Sequence, residues 1–340
     1  MAVTIYDVAK KAGVGIGTVS RAINNSPRIS SQTKAKVDKA IQELKYQPHA
    51  LAQGLARKRT NMVAIIVPVF TGYFYLELLK GIQQEMSKYQ YDLLLYSVDQ
   101  TVKTEIFLKR TLQERRVDGV LLISLTISDS DVKKFVHSQF PIVLIDSDHC
   151  DLDSLTVENE QGAYLATKYL INLGHTRIGI IDAQLKSLPA KKRLEGYQKA
   201  LRDHKIHYNR RYLVISDSDI EKDGFNREAG YAAMKKLLQM DEHRPTAVFI
   251  SSDIQAAGAI KAIKEYGLNI PEDVSVIGFD DIELAQYMGL STIRQPMFEM
   301  GKLAVQILMK KISGEESKPV QKRFETRLVI RDSCGYKRTG

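Results

Sequence analysis

The sequence predicts two folds in one chain: a small all-α helix-turn-helix domain at residues 1–47, and a two-lobed α/β body with parallel sheets at 61–340, joined by a hinge at 48–60. Three observations carry this. Residues 5–44 hold three short stretches with apolar side chains at helical spacing. Beyond residue 61, short apolar runs alternate with amphipathic stretches, the pattern of parallel strands joined by crossover helices. The charge divides at the same place: residues 1–60 hold eleven Lys and Arg against three acids, +8 of the chain's formal +9.

In "TIYDVAKKA", Ile5, Val8, Ala9 and Ala12 form one apolar face of a two-turn helix. Thr4 is its expected N-cap, with Asp7 at the third helical position, where a carboxylate meets exposed amides. The following "AGVGIG" has the glycine density of a phosphate-binding loop. However, Gly13, Gly15 and Gly17 have no strand before them, lack the dinucleotide spacing, and are followed by no Lys-Ser/Thr pair. They join helix to helix instead. Val19 and Ile23 mark the second helix. Ser30 or Ser31 caps a third, with Val37, Ile41 and Leu44 inward and Pro48 closing it. A short helix, a tight turn and a second helix is the unit that sets its second member into the DNA major groove; an ordinary helical hairpin is the alternative. The concentrated basic charge favours a phosphate-bearing partner.

The strand-like runs fall in two sets: "MVAIIVPV", "LLLYSV", "GVLLIS" and "PIVLID", then "RIGIID", "YLVIS", "TAVFIS" and "VSVIGF". About 280 residues suit two lobes better than one. Ligands of open α/β sheets bind at the carboxyl ends of the strands, so the site is expected between the lobes.

The segments "VTIYDVAKKAGVGIGTVSRAIN" and "YQPHALAQGLA" resemble the headpiece and hinge of the LacI/GalR repressor family, with T-x-x-D-V-A, A-G-V, T-V-S-R and Tyr-x-Pro in family order. "LGHTRIGII", "RLEGYQKAL" and "IPEDVSVIGFDDIELA" resemble the periplasmic-binding-protein-like core of the same repressors. The resemblance implies three crossings between lobes, near 160, 290 and 320. Lobe 1 is then 61–160 with 291–320, and lobe 2 is 161–290 with 321–340. It further implies a cytoplasmic homodimer, a partly palindromic double-stranded DNA operator, and a small-molecule effector, here a carbohydrate. No catalytic residue, cofactor or membrane segment is implied.

By this resemblance the DNA contacts come from Thr4, Tyr6, Gly15, Ile16, Gly17, Thr18, Ser20, Arg21 and Asn24, and from His49, Ala52 and Leu55 of the hinge. Two positions depart from the family: Gly15 stands where Ser is usual, weakening a cap by about a few tenths of a kcal/mol, and His49 stands where Asn is usual. The glycines read no base. Ile16 packs on a thymine methyl or belongs to the headpiece core, and Arg21 is the strongest polar reader. With so thin a major-groove code, DNA shape should matter more. Leu55 matches the leucine that wedges open a minor-groove base step. Arg57, Lys58 and Arg59 read as phosphate contacts or as a solvated linker.

For the effector, motif positions give Tyr73, Phe74, Asp146, Arg193, Phe225, Ser252, Asp253 and Asp280. Aromatic faces with charged fork donors and acceptors suit a polyhydroxylated ring. Tyr73 and Phe74 could equally be lobe core, and Asp253 could cap the helix it opens. Ser187 and Pro189 offer little to a purine.

Other classes are disfavoured. No G-x-S-x-G elbow or H-E-x-x-H motif occurs, and no apolar run is long enough for a membrane span. Cys150 and Cys334 give no disulfide framework and suit a reducing cytosol. "DSDHCD" holds metal-type ligands, but neighbours on a short loop seldom converge on one ion. His175 reads as a helix-end cap. The C-terminal residues lack leucine heptads, so no tetramer is expected. The alternatives are a carbon regulator with a phosphorylated protein corepressor, and a sugar-binding or sugar-modifying protein with an incidental basic head.

Overall fold

The computed structural model describes residues 3–23, 26, 28–46, 59–68, 72–98, 104–114, 116–185, 187–216, 224–315 and 318–336. The chain divides into two compact units, Met1–Met62 with Glu114–Asp118, and Val63–Gln113 with Gly119–Gly340.

In the first unit, α1 (Ile5–Ala12), α2 (Ile16–Ile23) and α3 (Ser31–Leu44) enclose Val8, Ala9, Val19, Ala22, Val37, Ala40 and Tyr46. Helices of 8, 8 and 14 residues are marginal alone. Their fully buried valines, each worth about 1.5–3 kcal/mol of transfer, hold them together. Thr4 donates from its backbone N and Oγ1 to Asp7 Oδ2 at 2.8 and 2.7 Å, which holds the Asp7 carboxyl below its usual pKa. Gly13 ends α1 in the left-handed region at φ 67°, open to glycine without strain. The cap of α3 is Ser30, whose Oγ accepts from Thr33 N at 3.2 Å. The left-handed Lys45 ends α3, its amide donating to the carbonyls of Gln42 and Ile41; Pro48, expected to close this helix, lies outside the described residues. Thr60 and Asn61 donate their amides to Asp118 at 2.8 and 2.9 Å, pinning the end of the hinge segment.

The second unit holds two parallel sheets. The strands β1 (Met62–Val67), β2 (Asp92–Ser97), β3 (Gly119–Ile123), β4 (Ile142–Ile145), β5 (Asp153–Val157) and β11 (Gln321–Phe324) form the first, in the order β11-β5-β4-β3-β1-β2. Against it lie α4 (Tyr73–Met86) and α12 (Met297–Ser313), which contribute Leu78, Ile82, Met300 and Leu308 to the core; α5 (Thr104–Glu114) and α6 (Asp129–Ser138) complete the first lobe's helices. The second sheet runs β7 (Leu213–Ile215), β6 (Ile178–Asp182), β8 (Ala247–Ile250), β9 (Ser275–Ile277). Its helices are α7 (Asn159–Asn172), α8 (Leu188–Asp203), α9 (Arg227–Leu238) and α10 (Asp253–Glu265), with a short α11 (Glu283–Tyr287). All eight expected runs are strands.

The lobes are joined by β5 into α7, by β10 (Thr292–Arg294) into α12, and by β11 into β12 (Arg327–Val329), which pairs antiparallel with β10. The expected crossing near 320 is corrected: residues 321–324 pair with β5 in the first sheet, so the chain changes lobe at 325–326. The polar run "QKRF" has no apolar signature, and only its pairing with β5 makes it a strand. Asp281 braces this junction, accepting from Arg294 Nε at 2.6 Å and Arg331 Nη2 at 2.7 Å. His175 is not a simple cap. It is 3% exposed, with Nδ1 2.9 Å from Thr246 Oγ1 and Nε2 3.1 Å from the carbonyl of Gly335. Among the described residues, no helix is long and apolar enough to cross a membrane.

Candidate functional site

In the first unit, α2 starts on the carbonyl of Gly15, which accepts from Thr18 N and Val19 N at 2.8 and 3.1 Å. Val19 and Ala22 turn inward, so the opposite face carries Ile16, Gly17 and Arg21 exposed, with Thr18 and Ser20 half-buried. Ile16 is 41% exposed, which excludes it from the buried headpiece core. Tyr6 projects from α1 at 67% exposure, next to the exposed Thr4–Asp7 cap. Each of the three acids in residues 1–60 has a partner inside this unit: Asp7 with Thr4, Glu43 with Lys11 at 3.0 Å, and Asp38 with Lys34 at 3.0 Å. Among the described residues, Lys10, Arg21, Arg28, Lys36, Lys39 and Lys45 are exposed. Asn24, His49, Ala52 and Leu55, with Arg57 and Lys58, lie outside the described residues.

In the second unit, a polar constellation gathers at the carboxyl ends of β4, β6 and β9, centred on Arg193 of α8. Arg193 is 4% exposed. Its Nε donates to Asn159 Oδ1 at 2.8 Å, and its Nη1 donates to the carbonyl of Ser251 and lies 3.8 Å from Asp280 Oδ1. The guanidinium carbon sits 3.9 Å from the centroid of the Phe279 ring and 5.8 Å from that of Phe225. Asp280 takes φ 121°, a conformation costing about 1–3 kcal/mol that the surrounding bonds must hold. It accepts from Gln295 Nε2 at 2.6 Å, and its backbone N donates to Ile293 O at 2.8 Å. Asp146, in the left-handed region at φ 58°, accepts from Ser124 Oγ at 2.8 Å.

Burial raises all three neighbouring carboxyls. Asp146 rises to about 6, with Arg193 and the Ser124 bond opposing; it lies deep among protein atoms yet retains some contact with solvent. Asp280 rises to about 7 by burial, opposed by Arg193 and Gln295. Asp182, at the end of β6 and 0% exposed, also rises to about 7 by burial, opposed by hydrogen bonds from Ser251 and Ala183 and by the charge of Arg193.

Of the sequence-derived candidates, Asp146, Arg193, Phe225 and Asp280 therefore come together. Tyr73 reaches across from α4, its hydroxyl accepting from Arg227 Nη2 at 3.0 Å. Phe74 packs instead on the first-lobe core and edge-on against Tyr75 at 5.4 Å. Asp253 is corrected. It is 0% exposed, with Oδ1 accepting from Thr292 Oγ1 at 2.6 Å and Oδ2 from Ile282 N at 3.0 Å, so one oxygen braces the hinge strand β10 and the other the start of α11. A Cβ on Gly278 would fall 2.2 Å from Asp253 Oδ1, which requires glycine there. Ser252 is likewise committed to the fold: it is the N-cap of α10, accepting from Gln255 N and donating to Gln255 Oε1. Missed from the sequence were Asn159, Asp182, Arg227, Phe279 and Gln295. Asp182 had a signal, since it ends "RIGIID" as Asp146 ends "PIVLID"; Gln295 and Asn159 flank hinge strands and had none.

Residues 4–49 match the family model for bacterial regulatory proteins of the lacI family, and residues 167–334 match a periplasmic binding protein-like domain. The chain is 37% identical over 335 residues to the ribose operon repressor of Haemophilus influenzae, covering 97% of this chain and 98% of that one. It is 35% identical over 321 residues to catabolite control protein A of Priestia megaterium, covering 93% and 94%. Among solved structures, the lac repressor dimer bound to operator and an anti-inducer superposes with a TM-score of 0.80 at 28% identity, over 98% of this chain and 99% of that one.

Proposed function

This chain belongs to the lacI family of bacterial regulatory proteins, and on that premise we propose that it is a homodimeric, cytoplasmic transcriptional repressor whose operator affinity is set by a small carbohydrate held between the two lobes of its core. Residues 1–47 are the DNA-reading module and 48–60 the hinge. The first lobe is 61–157 with 296–324, and the second 159–294 with 327–336. In this reading Ile16, Thr18, Ser20 and Arg21 meet the major groove, Tyr6 and Thr4 meet the backbone, and Leu55 enters the minor groove.

The observation that supports the effector reading best is the Arg193 constellation. It lies at the carboxyl ends of the second-lobe strands beside the hinge pair β10–β12, with Asp146 of the first lobe within its electrostatic reach. A ligand there touches both lobes and so has differential affinity for their open and closed arrangements, which is the condition for changing headpiece affinity.

The test is a gel shift with genomic fragments across a salt series, using the full chain and a chain beginning at residue 60. The full chain should retain a subset of fragments with affinity falling steeply in salt, and the shortened chain none. Fragment retention by the shortened chain would overturn the assignment of DNA binding to the first unit.

A further inference from the structure

The constellation around Arg193 has an excess of buried acceptors and of buried carboxylate. Asp146, Asp182 and Asp280 lie within electrostatic reach of one guanidinium. Three carboxyls outnumber that single cation, which is already engaged: Nε donates to Asn159, Nη1 donates to the carbonyl of Ser251, Asp280 lies 3.8 Å away, and Phe279 covers its face at 3.9 Å. Among the described residues, two acceptors nearby are buried without a hydrogen-bond partner, Asp182 Oδ2 and Gln295 Oε1: Ala183 N donates to the other Asp182 oxygen, the Ser251 hydroxyl beside it donates to Gln255, and Gln295 has spent its amide nitrogen on Asp280. A buried acceptor left unpaired is costly, so these two atoms favour a ligand that brings hydrogen-bond donors.

We infer that the effector is an uncharged, hydroxyl-rich molecule, an unphosphorylated sugar or polyol, and that the pocket rejects the phosphate ester of the same sugar. This rests on the cleft reading above. A sugar hydroxyl can donate to Asp182 Oδ2 or to Gln295 Oε1 and still accept from a neighbour. A phosphate group offers only acceptors to these atoms and brings a charge of about −1.5 to −2 at neutral pH into a wall of carboxylates. Arg227, at the start of α9, is already engaged: it donates to the Tyr73 hydroxyl and lies over its ring.

The experiment is titration calorimetry on the full chain at pH 7.5 with D-ribose, D-glucose and D-galactose, and with ribose 5-phosphate, glucose 6-phosphate and galactose 1-phosphate. At least one free sugar should bind at least tenfold tighter than its ester. An ester that bound as tightly or tighter would overturn the inference while leaving the cleft reading standing. Silence from all six would remove the carbohydrate reading and this inference with it, and leave DNA binding untouched. The second arm is Asp182→Asn, with its fold checked by thermal unfolding. The bound sugar should weaken about threefold to tenfold, and the discrimination between sugar and ester should shrink. Unchanged discrimination would overturn the role given to Asp182.

Discussion

Arg227 donates from Nη2 to the hydroxyl of Tyr73 at 3.0 Å, tying the first residue of α9 in the second lobe to the first residue of α4 in the first. Its guanidinium also lies 5.8 Å from the centroid of the tyrosine ring. Both side chains are solvent-accessible, so the bond is a small contribution, about 0.5–1.5 kcal/mol. It can exist only when the two helix starts are close. Tyr73→Phe and Arg227→Ala should each weaken binding of the tightest free sugar about twofold to tenfold, and the double variant should be no worse than the weaker single one. A double-mutant cycle by calorimetry reads this; strictly additive losses would show that the two residues act apart.

Arg193 holds the neighbouring carboxyls as much as it could hold a ligand. Arg193→Ala removes the buried cation facing Asp146, Asp182 and Asp280, together with the contact on Phe279. Breaking such a pair costs about 3–5 kcal/mol because charge is left unpaired. The loss should appear in urea unfolding at pH 8 and be clearly smaller at pH 5, where carboxyls with pKa about 6 to 7 are protonated. Equal losses at both pH values would assign the cost to packing alone.

Asp182 offers a signed test of burial. Its folded pKa of about 7 stands above the unfolded value of about 3.9. Between these, the folded chain holds a proton that the unfolded chain has released, so this group's contribution falls as pH rises through the window and is flat above it. Asp182→Asn cannot ionise. Its stability relative to wild type should therefore rise from pH 4 to pH 7 by a few kcal/mol and then level off, as read by thermal or urea unfolding across that range. A difference independent of pH would place the carboxyl in a more polar setting than its burial indicates.

Much of this was legible in the sequence where one local rule decided the outcome. The eight apolar runs became strands because buried parallel strands need continuous apolar residues, and the headpiece helices followed from spacing and caps. The hinge strands were not legible. "QKRF" at 321–324 and Thr292–Arg294 are defined by partners more than 25 residues away in sequence, Ser154–Val157 and Arg327–Val329. The site divided the same way. Asp146, Arg193 and Asp280, singled out by motif, lie together in the structure, whereas Asp253 is held by the fold because Thr292 and Ile282 occupy both its oxygens, which the sequence cannot show.

Helix α2, proposed to face the DNA, separates charge from apolar contact. Arg21 and Ile16 are both exposed on α2, five residues apart, and neither supports the headpiece core, so each can be removed without unfolding the module. If Arg21 neutralises a phosphate, Arg21→Ala should weaken binding to every retained fragment and reduce the slope of log affinity against log salt by about 1. If it reads guanine, the loss of about 1–3 kcal/mol should fall on fragments with that base and leave others alone. Ile16→Ala removes an apolar contact and no charge. It should lower affinity for fragments with thymine at the contacted position by a smaller factor, with the salt slope unchanged. Fluorescence anisotropy on a retained fragment and its single-base variants, at four salt concentrations, measures both quantities together. A slope change on Ile16→Ala, or none of these losses with either variant, would move the reading face off α2.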